Sequence, residues 1–220
     1  MIKYLFFDLD GTLTNPKEGI TKSVAYALKE VCGIEVEDLD SLIPYIGPPL
    51  VAGFQENHGV SEEDAHACTA AYRVRYRKVG LFENRPYDGI RAALDGLREK
   101  GYKLYVATSK PTEFSARILE HFVLADCFEH ICGATFDGRI SEKHEVIAEL
   151  LRITGEPDRS EIVMIGDRKY DIEGAHAFDI RAVGVTYGFG SREELETCGA
   201  DAICESVDKL AETIESLQTA

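Results

Sequence analysis

Short apolar runs that do not alternate, recurring along most of the chain, constrain its fold more than any other feature. They fall at residues 3–7, 103–107, 130–133, 162–165, 181–185 and 202–204. A strand wet on one face alternates apolar and polar residues, so unbroken runs suit parallel strands covered by helices on both faces. Helical patterns fill the gaps. Ile90, Leu94 and Leu97 share one face before Gly101, and Ser141 is placed to cap a helix carrying Val146, Ile147, Leu150 and Leu151. Ser191 with Glu194 three residues on fits a capping box. From residue 86 onward this alternation predicts an α/β fold with a doubly wound parallel sheet.

One interval breaks the rhythm. Residues 15 to 85 read as entirely helical, with Ile20, Val24, Ala27, Leu28 and Val31 on one amphipathic face and a second long helix over residues 63–79. A crossover between parallel strands needs only about a dozen residues. The surplus predicts a small α-helical domain over 15–85, inserted after the first strand, with 1–14 and 86–220 forming the α/β core. The expected hinges are Thr14-Asn15-Pro16 and Glu83-Asn84-Arg85-Pro86.

Charge and composition narrow the partners. Thirty-nine acidic residues against 24 basic ones give a net charge of −15 over 220 residues, the wrong sign for binding a nucleic-acid polymer. The uncharged stretch from Leu42 to Phe54 is broken by Pro44, Gly47, Pro48 and Pro49. No segment approaches the ~20 apolar residues of a spanning helix, so no membrane partner is expected. The opening Tyr4-Leu5-Phe6-Phe7 runs straight into Asp8 and lacks the features of a signal peptide, which leads to an expected cytoplasmic location. Cys32, Cys68, Cys127, Cys132, Cys198 and Cys204 form no C-x-x-C pair, and they read as small buried apolar residues.

Ligands of open parallel sheets bind beyond the carboxyl ends of the strands, so the residues that follow each run matter most. After the first run comes Asp8-Leu9-Asp10-Gly11-Thr12, and after the second Thr108-Ser109-Lys110. After the fourth comes Gly166-Asp167-Arg168-Lys169-Tyr170-Asp171, and Lys143 lies at the start of the helix before that run. Each alone has an ordinary reading as a turn or a solvated lysine. Together they bring four carboxylates, a hydroxyl pair and a lysine to one rim. Crowded carboxylates repel unless a cation sits among them, and an all-oxygen set suits Mg²⁺. A carboxylate nucleophile with a second carboxyl as acid and base is what phosphoryl transfer through an aspartyl phosphate requires.

These residues, in this order, resemble the four motifs of the haloacid dehalogenase superfamily, and the helical insertion resembles its type 1 cap. The similarity spans the whole chain and is closest to small phosphatases of the phosphoglycolate phosphatase and 5′-nucleotidase group. The resemblance implies Asp8 as nucleophile and Asp10 as the acid that protonates the leaving alcohol and then activates water. It implies Thr108, Ser109 and Lys143 as phosphate ligands. Mg²⁺ would be held by Asp8, Asp10 through its carbonyl, and Asp167, with Asp171 orienting Lys143 or reaching the metal through water. The substrate is then a small phosphorylated metabolite, and the enzyme a monomer or homodimer.

Departures from the family also inform. The β-phosphoglucomutases carry a histidine near the start of the cap where this chain has Ile20, and the loop Tyr45-Ile46-Gly47-Pro48-Pro49-Leu50 lacks their basic residue. Hydrolysis is therefore favoured over a mutase. That apolar loop, with Tyr45 and Gly47, is expected to meet the substrate. A catalytically inactive regulatory member is the non-enzyme alternative, against which stands the full set of motif residues. A receiver domain would place its acidic pair before the phosphoacceptor strand. A dinucleotide fingerprint at Gly188-Phe189-Gly190 fails because Glu193 occupies its third glycine position.

Overall fold

The computed structural model describes residues 1–218. The chain divides into two compact units, one of residues 1–14 with 86–220 and one of residues 15–85. Along the chain, β1 (Tyr4–Phe7) and β2 (Thr14–Asn15) precede helices α1 (Lys17–Cys32), α2 (Leu50–His58) and α3 (Glu62–Arg75). Then follow β3 (Arg85–Pro86), α4 (Ile90–Glu99), β4 (Lys103–Pro111), α5 (Thr112–His121), β5 (His130–Ala134) and α6 (Lys143–Ile153). The last elements are β6 (Ile162–Gly166), α7 (Lys169–His176), β7 (Arg181–Val185), α8 (Arg192–Thr197), β8 (Ala202–Cys204) and α9 (Leu210–Ser216).

The larger unit is the predicted α/β fold. Its sheet has six strands in the order β5-β4-β1-β6-β7-β8, and the pairs are parallel. Strand order runs outward from β1 in both directions, which makes its carboxyl end the switch point where a ligand crevice is expected. Register fixes what meets there: Phe7 lies opposite Val106 on one side and Ile165 on the other. Every residue of β6 is buried, as strands covered on both faces should be. Against one face pack Val146, Ile147 and Leu150 of α6 and Ile172 and Ala175 of α7, meeting Phe6, Ala107 and Met164 of the strands.

Several elements differ from the sequence reading. Apolar character stops at Ala107, but β4 continues to Pro111, with its pairing to β5 shifting between Thr108 and Pro111. Ser141 does not cap α6; Glu142 is the N-cap, and the Glu145 carboxylate accepts from the backbone N–H of both Ser141 (2.7 Å) and Glu142 (3.0 Å). Glu145, at the third helical position, takes the backward-reaching half of a capping box, one residue later than a Ser141 cap would place it. Ser191 does cap α8, accepting from the Glu194 N–H at 3.0 Å. The Glu194 carboxylate instead accepts from Arg168 Nε and the Lys169 N–H, at 2.9 and 2.8 Å.

The smaller unit is helical. Ile20, Val24, Ala27 and Leu28 of α1 are buried, and Tyr72 stacks on Tyr76 at 5.1 Å. The expected helix over 63–79 is α3 followed by a wider π turn at Tyr76–Gly80. There a Cβ on Gly80 would lie 2.8 Å from Ser23 Oγ, so the close approach of α1 requires glycine. The proline-broken stretch holds a 3₁₀ turn at Leu39–Tyr45 and α2, which starts directly after Pro49. Glu83 joins Arg75 at 2.8 Å, and Arg75 also donates to Ser23 Oγ at 2.9 Å. Among the described residues no helix is long and apolar enough to cross a membrane.

Candidate active site

The Asp8 N–H donates to Ile165 O at 2.8 Å, which extends the β1–β6 ladder by one rung before the chain turns. The turn is tight: Leu9 O accepts from both Leu13 and Thr14, and Gly11 takes φ +83°. A Cβ on Gly11 would stand 2.1 Å from Asp167 Oδ2, so glycine is needed there for both conformation and space. Two loops from adjacent strands are thereby pressed together.

Lys143 is 4% exposed, which rules out a solvated lysine in a first turn. Its Nζ lies 3.0 Å from Asp8 Oδ1 and 2.7 Å from Asp171 Oδ1, and it donates to the Ala107 carbonyl at 2.8 Å. Burial works to lower its pKa, but the Asp171 and Asp8 carboxylates outweigh that and hold the ammonium well above its ordinary value. Lys143 thus ties the end of β1 and the middle of β4 to the start of α7.

Asp8, Asp167 and Asp171 each offer an oxygen within 4.8 Å of the others. Burial pushes Asp171 up to about 6, Lys143 working against the shift and Asp8 adding to it. Burial, then Asp171 and Asp8, hold Asp167 well above the usual carboxylate range. Three carboxylates beside one lysine leave an excess of two negative charges when all are ionised. Asp167 Oδ2 accepts from the Phe189 N–H at 2.8 Å, but its buried Oδ1 has no hydrogen-bond partner. Asp8 Oδ1 and Asp171 Oδ1 stand at ion-pair distance from Lys143 without hydrogen-bond geometry. Orphaned hard oxygens around an excess of charge fit a divalent cation.

Asp10 takes a different path. Its carboxylate pairs with Lys110 Nζ rather than with the three-carboxylate group. Burial raises its pKa, with Lys110 opposing. Lys110 reaches it from the irregular stretch of β4, where its N–H donates to Thr108 Oγ1 at 3.2 Å. A Cβ on Gly133 would sit 2.3 Å from Lys110 O, so only glycine in β5 lets β4 run there. Thr108 is buried at this corner and Ser109 half-buried beside it. Lys110 belongs to the quoted motif, but its pairing with Asp10 was not foreseen. The loop Gly188-Phe189-Gly190, rejected as a dinucleotide fingerprint, has a use as well. A Cβ on Gly190 would meet Asp167 O at 1.9 Å, so this loop wraps the aspartate closely enough to give it the Phe189 N–H.

Tyr45 of the apolar loop lies inside the helical unit. It is 2% exposed, its hydroxyl is hydrogen-bonded to His58 Nδ1 at 2.7 Å, and its ring stands edge-on to Phe54 at 5.1 Å. These contacts tie the Tyr45 side chain to α2. Gly47 nearby takes φ +109° and shapes the loop that leads to α2.

Fold and site together define a doubly wound α/β enzyme with a carboxylate–lysine centre at the switch point. A family model described as haloacid dehalogenase-like hydrolase matches residues 5–185. The chain is 42% identical over 212 residues to the 5′-nucleotidase of Pseudomonas aeruginosa, covering 96% of this chain and 95% of that protein. It is 36% identical over 213 residues to the tyrosine-protein kinase PtkA of Mycobacterium tuberculosis, covering 96% of this chain and 72% of that one. The crystal structure of a predicted phosphatase from Clostridium acetobutylicum superposes with a TM-score of 0.93 at 47% identity, covering 98% and 99% of the two chains. The chain belongs to the haloacid dehalogenase-like hydrolases.

Proposed function

We propose that this protein is a Mg²⁺-dependent phosphatase that hydrolyses a small phosphate monoester, of nucleoside monophosphate type, through an aspartyl phosphate on Asp8. The observation that carries this reading is the lysine-bridged carboxylate group at the end of β1, with Asp10 held apart by its own lysine. One carboxylate is thus free of proton-transfer duty and the other is kept out of the cation site. The choice of substrate leans on the similarity to the 5′-nucleotidase.

In the first half-reaction an Asp8 oxygen attacks phosphorus, and the phosphorus–oxygen bond to the alcohol breaks in line. The leaving oxygen takes its proton from Asp10, whose carboxyl burial holds in the protonated form to higher pH than usual. Asp10, now a carboxylate, takes a proton from the water that attacks the acyl phosphate. That step returns Asp8 as a carboxylate and releases phosphate. Thr108, Ser109 and Lys143 hold the phosphoryl oxygens, and Asp171 keeps Lys143 charged and in place. Asp8, Asp167 and the Asp10 carbonyl would hold Mg²⁺, with Asp171 beside them, and the ion would supply charge neutralisation for the phosphoryl group. To the helical unit we assign the choice of substrate.

The test is phosphate release from a panel of esters with and without Mg²⁺: nucleoside monophosphates, phosphoglycolate, sugar phosphates, phosphotyrosine and pyrophosphate. Nucleoside monophosphates should lead, and chelation should abolish turnover. Undiminished activity in excess chelator would overturn the metal assignment, and a stronger response to phosphotyrosine or phosphoglycolate the substrate class.

A further inference from the structure

Cys32 ends α1 and Cys68 lies in the middle of α3, and their Sγ atoms stand 3.7 Å apart as free thiols. Cys68 is fully buried, and its sulfur also lies 3.7 Å from the Ala27 carbonyl oxygen. A thiol on α3 that touches the main chain of α1 marks a close helix–helix seam, and the small buried residues Ala27 and Ala65 permit it. Cys32 is partly exposed, so the pair is reached from outside through Cys32. Bringing the sulfurs to the ~2.05 Å of a disulfide needs a side-chain rotation and a small shift at a helix end.

We propose that Cys32 and Cys68 form a reversible oxidation site, which a small hydroperoxide converts to a disulfide linking α1 to α3. In the first step the Cys32 thiolate attacks a peroxide oxygen. The oxygen–oxygen bond breaks, a sulfur–oxygen bond forms, and the departing oxygen takes up the proton that Cys32 gave up on ionising, so a sulfenic acid and water (an alcohol, from an organic peroxide) result. The Cys68 sulfur then attacks the Cys32 sulfur. The sulfur–sulfur bond forms, the sulfur–oxygen bond breaks, and the departing hydroxide takes the Cys68 proton as water. Two thiols are oxidised and one peroxide is reduced. Burial pushes the Cys68 thiol up to about 12, with its contact to Cys32 adding to the shift. Burial and that shift both keep Cys68 from reacting first with the free oxidant, and the Cys32 sulfur 3.7 Å away is the electrophile within its reach. Cys198, half-exposed and 3.6 Å from a Glu173 carboxylate oxygen, is the internal control.

The experiment treats the full-length folded protein with hydrogen peroxide, alkylates it in denaturant and maps the peptides. The expected result is a cross-linked pair of peptides carrying Cys32 and Cys68, both protected from alkylation and both released by dithiothreitol. The oxidised protein should also melt about 5 °C higher, since the bond closes a long loop. Cys32→Ser should show neither effect. In Cys68→Ala, dimedone should label Cys32 strongly, because the sulfenic acid has lost its partner, whereas the wild type should label weakly. Equal dimedone labelling of Cys32 in both proteins overturns the proposal. So does full alkylation of Cys32 and Cys68 after Cys198 has been oxidised.

Discussion

The two sides of the site use lysine in opposite ways. On the β6 side Lys143 is nearly inaccessible and bridges Asp8 and Asp171, so one cation serves a crowd of carboxylates. On the β4 side Lys110 pairs with Asp10. The first arrangement leaves charge in excess and suits a cation and a phosphoryl group. The second holds a single carboxyl in place and tempers the rise in its pKa. Two aspartates only two residues apart thus acquire separate chemistry from the strands that face them.

The largest effect should come from Asp8→Asn. An amide can neither attack phosphorus nor bind a cation as an anion, so phosphate release should fall by about four powers of ten or more. Circular dichroism should remain that of the folded wild type. Activity above roughly one per cent would remove Asp8 from the nucleophile's role.

Lys143→Met should come next. It strips the bridging lysine from Asp8 and Asp171, so kcat/KM should drop by about a hundredfold or more. Leaving buried carboxylates uncompensated should also cost about 3 kcal/mol in urea unfolding without Mg²⁺. Lys110→Met should act more mildly, lowering kcat about tenfold. Because Lys110 opposes the raised pKa of Asp10, its loss should move the pH–kcat profile upward. An unmoved profile would mean that Lys110 only packs.

The cation side makes a prediction about pH. Burial holds the folded-state pKa values of Asp171 (about 6) and Asp167 above those of the unfolded chain. The stability they contribute is therefore full at low pH and is lost as pH rises, for Asp171 through about 6. Mg²⁺ should offset that loss, so its effect on Tm should be small near pH 5 and larger near pH 7.5. Equal shifts at both would put the cation elsewhere. The smallest effect should belong to Tyr45→Phe, which removes the hydrogen bond to His58. It should cost about 1 kcal/mol of stability and leave kcat/KM unchanged.

The reach of the sequence can be judged from the same residues. Asp8, Asp167, Asp171 and Lys143 were legible because each follows directly from a strand end or a helix start, and parallel register brings such ends together. The Lys110–Asp10 pair was not, since it depends on the irregular run of β4 past Thr108, which Gly133 permits. The Gly188–Gly190 loop was hidden because its contribution is a backbone N–H, which carries no side-chain signature. The surroundings of Tyr45 were hidden because an apolar loop residue looks the same whether it meets a ligand or its own helices. Its contacts with His58 and Phe54 exist only once folding brings them near.

The separation of Asp8 from Asp10 is tested most directly with Asp10→Asn and p-nitrophenyl phosphate, whose leaving group needs no proton. The first half-reaction should proceed while the second stalls. One equivalent of nitrophenolate should then appear in a burst, and borohydride reduction after the burst should convert residue 8 to homoserine, as seen by peptide mass. Steady release at the wild-type rate, or a burst that leaves Asp8 unmodified, would contradict the account.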